Sequence, residues 1–135
     1  MPSLVSLVCV DPARVAQIWP VARQFIRNAI ERTDLSEFAD IEREVLSGDQ
    51  LLWLAWSGQI EAAATTHLIK TKDKPVLVIT ACGGHGHKRW RHLLAKIEDY
   101  ARKEGAKCVR IYGRKGWERA LDNYRVEHVI LEKAL

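Results

Sequence analysis

Residues 76–113 read VLVITACGGHGHKRWRHLLAKIEDYARKEGAKCVRIYG, and the apolar period changes twice along them. Val76 to Cys82 is a nearly unbroken apolar, β-rich run, which predicts a buried strand. A loop containing Gly83, Gly84 and Gly86 follows it. Trp90, Leu93, Leu94, Ile97 and Ala101 then mark an amphipathic helix, with Gly105 as its C-cap. The run KCVRIYG returns to strand.

Upstream, the same reading gives a meander. LLWLAW and IEAAATTHLIK are strand-like runs joined by Ser57-Gly58, a two-residue hairpin signal, and TKDKP turns the chain into the strand at Val76. Ahead of them, SLVSLVCV is a short strand closed by Asp11-Pro12, which supplies an N-cap and a first-turn proline. The helix that opens there carries Val15, Ile18, Trp19, Ala22, Phe25, Ile26, Ala29 and Ile30 on one stripe, with a bend expected at Pro20. Asp34 with Glu37 resembles a capping box for a second helix through Leu35, Phe38, Ile41 and Val45 that stops near Gly48. Downstream, RKGWERALDN predicts a short helix and YRVEHVILEKAL a final strand.

The resulting order, β-α-α-β-β-β-α-β-α-β, specifies an α/β (α+β mixed) fold with a central mixed β-sheet flanked by helices. At 135 residues, 47% of them hydrophobic, the chain is long enough to bury one real core, so residues 1–135 are expected to form a single domain. No stretch reaches the roughly 20 apolar residues of a membrane span, and the start lacks the pattern of a signal peptide, which together predict a cytoplasmic protein. Cys9, Cys82 and Cys108 are odd in number, widely spaced and set in apolar runs, as buried reduced thiols would be. Cys82, His85, His87 and His92 lack the paired spacing of a zinc site, so no metal is expected. Neither a Gly-x-Ser-x-Gly elbow nor a Walker loop is present.

The net charge of +4 is unevenly spread. Seven acids against two arginines fall between Glu31 and Asp49, whereas eleven Lys and Arg against four acids fall between Lys88 and Arg119. The second half can therefore attract an anionic partner such as a nucleotide cofactor. A recognised nucleic-acid reader motif is missing, which argues against nucleic acid. Trp53 and Trp56 fall on opposite faces of one strand, so at least one needs a covering layer or another chain.

The element order and the ending LLAKIEDYARKEGAKCVRIYGRKGWERALDNYRVEHVILEKAL resemble the GNAT superfamily of acetyl-CoA-dependent N-acetyltransferases. GRKGWERALDNYRVEHVILEKAL is also similar to the ending of small GNAT-like proteins encoded by phages and prophages. The resemblance implies a cofactor pyrophosphate held on backbone N–H groups at a helix start, in a loop of pattern Q/R-x-x-G-x-G/A. Anchored on Leu93-Leu94 and Gly105, that pattern falls on His85, Lys88 and Trp90, which do not match it. A shift of two or three residues instead brings Gly84 and Gly86 into the loop. The family's late Asn falls on Arg114, its small pantetheine-facing residue on Trp117 and its proton-donating Tyr on Leu121, with Tyr124 three residues beyond.

If an acyl-CoA binds, the resemblance therefore assigns it to Thr80, Ala81, Cys82, Gly83, Gly84, Gly86, Lys88 and Arg89. Glu61 is then a conceivable base and Tyr124 a conceivable acid. Acetyl-CoA is the cofactor only of an active enzyme. The altered constellation favours a second function, a non-catalytic binding or structural module such as a phage virion or assembly component, located in the host cytoplasm or virion. Trp53, Trp56, Trp90, Trp117 and Arg114 would meet a protein partner or a second copy, with Trp90, Trp117 and Arg125 filling the cofactor groove.

Overall fold

The computed structural model describes residues 4–114 and 116–135. Met1 and Pro2, Ser3 at the start of the first expected strand, and Lys115, within the expected short helix, lie outside the described residues. A five-stranded mixed sheet has the order β1-β2-β3-β4-β5, formed by Ser6–Cys9, Leu51–Trp56, Ile60–Thr71, Lys74–Gly84 and Cys108–Ile111. The first four strands pair antiparallel and β5 runs parallel to β4. A parallel pair needs a crossover, and here the connection carries α3 (His87–Trp90), a 3-10 turn (Arg91–Leu93) and α4 (Leu94–Lys103). The other helices are α1 (Val15–Thr33), α2 (Phe38–Ser47) and α5 (Trp117–Ala120).

Strand alternation sends successive side chains to two different layers. Leu52, Leu54, Ala63 and Ala81 face α1 and α2, where Trp19, Ala22, Ile26, Ile30, Ile41 and Val45 complete one core. Trp53, Ala64, Leu77 and Ile79 face α4, packing on Leu94, Ile97, Ala101 and on Leu121. Trp53 is thus the covered tryptophan of its strand. Its indole N–H donates to the Thr66 hydroxyl at 2.9 Å, and Tyr100 meets it edge-on at 5.4 Å. Trp56, beyond a register shift at Ala55, is 44% exposed.

The turns follow the sequence. Asp11 accepts from Ala13 N–H and Pro12 opens the 3-10 turn (Pro12–Arg14) that leads into α1. Lys72 and Asp73 both have positive φ (45° and 66°), the geometry of a type I′ hairpin turn between β3 and β4.

Three details differ from the sequence reading. Asp34 does not cap the second helix; it closes α1 in the left-handed region (φ 54°), its N–H donating to Ile30 O, and α2 starts at Phe38 with Glu37 before it. Aspartate tolerates that backbone region, so the residue that looks like a start signal serves as a stop. Cys9 is exposed, and only Cys82 and Cys108 are half-buried. The final strand expected over 124–135 joins no ladder among the described residues: the segment runs without turn or bend and is exposed from Arg125 onward. No described helix is long and apolar enough to cross a membrane.

Candidate functional site: the cleft where β4 and β5 part

The backbone of β4 reverses its hydrogen-bonding phase at Thr80. Before that residue, the carbonyls of Pro75 and Ile79 accept from Lys107 and Tyr112 N–H (2.9 and 3.1 Å), so odd-numbered residues face β5. Beyond it, His85 N–H donates to Glu61 O (3.1 Å) and the register pairs Gly83 with Ala63 and Ala81 with Thr65, so odd-numbered residues face β3. Between Thr65 and Thr66 the register slips by one, which makes Thr80 the extra residue of a β-bulge. The N–H groups of Cys82 and Gly84 consequently point away from β3, toward the β5 side. Pairing with β5 stops at Ile79, while β4 continues to Gly84.

A polar network fixes the bulge. The Thr80 hydroxyl lies 2.7 Å from Gln50 Oε1 and 2.7 Å from the Thr65 hydroxyl, and Gln50 Nε2 donates to Glu44 at 2.7 Å. Gln50 and Thr65 are both buried. One hydroxyl has one proton, so Thr80 donates to Gln50 while Thr65 donates to Thr80.

Where the strands part, a small solvent-open cleft of about 80 Å³ is lined by Cys82, Gly83 and Gly84 of β4, by Ile111 at the end of β5 and Tyr112 to Arg114 after it, and by Ala29, Arg32 and Thr33 of α1. His87, Trp90 and Trp117 form its remaining wall. Arg32, Arg114 and His87 bring positive or protonatable groups, and no carboxylate is among the described lining residues. Two glycines allow this shape. A Cβ on Gly83 would stand 2.8 Å from Phe25 O of α1, and one on Gly113 would stand 2.7 Å from the Trp117 ring. Gly86 turns the chain into α3 with φ 60°.

Trp90 and Trp117 border the cleft without closing it. Trp90 is buried, its indole N–H bonded to His85 O at 2.9 Å, and the Trp117 ring sits 6.0 Å from it and 6.1 Å from His87. Arg125, expected in the groove, is exposed and ion-paired to Glu127. A second, apolar cavity lies under α3 and α4, bounded by Trp53, Ala62, Ala64, Leu93 and Ile97, and it shares Cys82 and Trp90 with the cleft.

Of the residues assigned from sequence, Cys82, Gly83, Gly84, Trp90, Trp117 and Arg114 therefore meet at one place. Thr80 supports it from behind, and Ala81 packs into the α1 core. Lys88 is exposed outside the lining. Arg89 grips Glu61 through two bonds of 2.6 and 2.9 Å. Those bonds, with a further one from Ser57, hold the Glu61 carboxyl at a pKa of about 2, too acidic for an effective base at neutral pH. The Tyr124 hydroxyl donates to Glu98 at 2.7 Å beside α4, away from the cleft, and burial with that bond raises its pKa. Burial also pushes the Cys82 thiol up to about 12, which removes thiolate chemistry there.

The ion pair makes stability depend on acid. A depressed carboxyl pKa stabilises the folded state above the ordinary value near 4.5, and that contribution is lost as pH falls toward 2. Replacing Glu61→Gln is expected to lower the thermal midpoint slightly at pH 7, the gap closing between pH 4.5 and 2. The effect is small because water screens the exposed Arg89. A gap that stays constant over that range would contradict the pair.

Sequence reasoning missed Arg32, Thr33 and Ala29 at the end of α1, and Gln50. The arginine belongs to an ordinary helix face, and nothing in spacing ties a glutamine before β2 to a threonine 30 residues on.

Among solved structures, the fold is that of acetyltransferases. An aminoglycoside acetyltransferase from an uncultured soil metagenomic sample, solved with sisomicin, superposes with a TM-score of 0.72 at 10% identity, covering 98% of this chain and 96% of that one. A GNAT family acetyltransferase from Staphylococcus aureus gives 0.63 at 12%, covering 98% and 99%. A predicted acetyltransferase from Clostridium acetobutylicum, solved with acetyl-CoA, gives 0.62 at 14%, covering 96% of each chain. No family model matches the sequence, and no curated protein does. The chain thus has the GNAT fold, a mixed sheet with a splayed parallel pair. These neighbours lend the phage-encoded kinship no support.

Proposed function

We propose that the cleft between β4 and β5 binds an acyl-CoA and that the protein transfers the acyl group to an amine. One observation carries this reading: the bulge at Thr80 turns the Cys82 and Gly84 amides into a cleft bordered by Arg32 and Arg114. Preorganised N–H donors suit the oxygen of a polarised thioester carbonyl, and cationic side chains suit phosphates. When bound, the thioester supplies the activated acyl group. The chain's own part is to orient it along β4, to donate to its carbonyl from the backbone, and to exclude water with Trp90 and Trp117.

A second reading, a GNAT-fold binding module without transfer, is favoured by the absence of a carboxylate among the described cleft residues and by the position of Tyr124. Calorimetric titration with acetyl-CoA tests the first step. Saturable binding is expected, weakened about tenfold each by Arg32→Glu and Arg114→Glu, which is roughly 1.4 kcal/mol per site. No heat and no thermal shift at millimolar acetyl-CoA would overturn binding altogether. Binding without release of free thiol across a panel of amines would leave the second reading standing instead of transfer.

A further inference from the structure

We propose that the segment Arg125–Leu135 is an arm that pairs with the same segment of a second copy, antiparallel about a two-fold axis through Ile130. The inference is independent of what the cleft binds. From Tyr124 to Leu135 the chain has no helix, turn or bend, yet it belongs to no sheet among the described residues. Val129, Ile130 and Leu131 are 76%, 67% and 92% exposed, an apolar load that an unpaired strand does not carry in water without a partner. Its beginning is tethered by Val126 N–H donating to Glu118 at 2.9 Å.

The sequence RVEHVILEKAL is self-complementary in one register. With Ile130 opposite itself, Val129 meets Leu131, His128 meets Glu132, Glu127 meets Lys133 and Val126 meets Ala134. Every charged pair in that set is of opposite sign or imidazole to carboxylate, and the apolar residues meet one another. Moving the axis half a residue toward Val129 sets Glu127 against Glu132, and moving it to Val129 sets Arg125 against Lys133; directly opposed like charges are destabilising. Glu127 already holds Arg125 within its own chain, so Lys133 of the second copy extends that ion pair into a row. A two-fold pairing of this kind is isologous, and each contact occurs twice.

Sedimentation equilibrium of the full chain over a concentration series is expected to show a species of twice the 15.4 kDa chain mass. Glu127→Lys and Lys133→Glu should each weaken that association roughly tenfold by placing like charges opposite each other, and the chain carrying both should recover it. In a Cys9→Ser background, Ile130→Cys should oxidise to a covalent dimer, because a residue on the axis faces its own copy, whereas Val126→Cys should not. The arm contributes no buried side chain to its own chain, so at concentrations dilute enough for every variant to be monomeric all should keep the parent's thermal midpoint. A chain that stays monomeric throughout overturns the proposal. So does a dimer indifferent to both charge reversals and without the Ile130→Cys cross-link, which would place the partner surface elsewhere.

Discussion

A Gly84→Ala protein is expected to lose about 3 kcal/mol of stability, the upper end of what overpacking costs, and most of its affinity for acetyl-CoA. A Cβ at Gly84 would stand 2.4 Å from the Ala62 Cβ and 2.5 Å from Glu61 O, across the β3–β4 ladder. Neither neighbour can rotate aside, since one is a methyl fixed to its backbone and the other is the backbone itself. The strands must therefore separate where the phase reversal has aimed the Cys82 and Gly84 amides at the cleft. Gly86→Ala is the contrast: nothing lies within 4 Å of its Cβ, and only the left-handed φ of 60° is strained, costing about 1–2 kcal/mol. Urea midpoints and acetyl-CoA titrations of the two variants check the order. A Gly86→Ala protein as unstable as Gly84→Ala would show that the loop conformation, and not the strand spacing, is what glycine protects.

The fold was legible because its elements announce themselves locally. Ser57-Gly58, the Lys72-Asp73 turn and the period change after Gly86 each depend on neighbouring residues, and each marks a connection the structure has, although the first hairpin loop takes three residues, Ser57 to Gln59, and not two. Misreadings occur where a residue type serves two purposes. Asp34 is as competent to end a helix in the left-handed region as to begin one, and only the packing of α1 through Ile30 decides. YRVEHVILEKAL has the composition of a strand, but a strand needs a partner, and composition does not say whether the same chain provides it.

The cleft was legible in part for a related reason. Its glycines stand in one stretch of sequence, whereas its cationic rim comes from α1 and from the turn after β5, far apart in the chain. Nor does a motif disclose that Trp117 folds over Gly113 and against Trp90, leaving the space between the strands open despite its bulk. The bulge that opens the cleft leaves no sequence mark at all: Thr80 sits inside an apolar run and is read as one more strand residue.

That bulge sets the second large effect. Thr80→Val keeps the shape of the side chain and removes the hydroxyl, leaving Gln50 Oε1 without its donor and the Thr65 hydroxyl without its acceptor, both buried. Two orphaned groups at about 1–3 kcal/mol each predict a loss of roughly 2–6 kcal/mol. Gln50→Leu should cost less, about 1 kcal/mol, because the Thr80 proton can turn to Thr65 O, 3.2 Å away. The double variant should fall short of the sum, since both changes cut one shared bond. Amide resonances of Cys82 and Gly84 should move in Thr80→Val more than in Gln50→Leu, following the bulge that orients them. Equal costs for the two single variants would mean that Thr65 O does not substitute and that Gln50, rather than the threonine pair, holds the phase reversal in place.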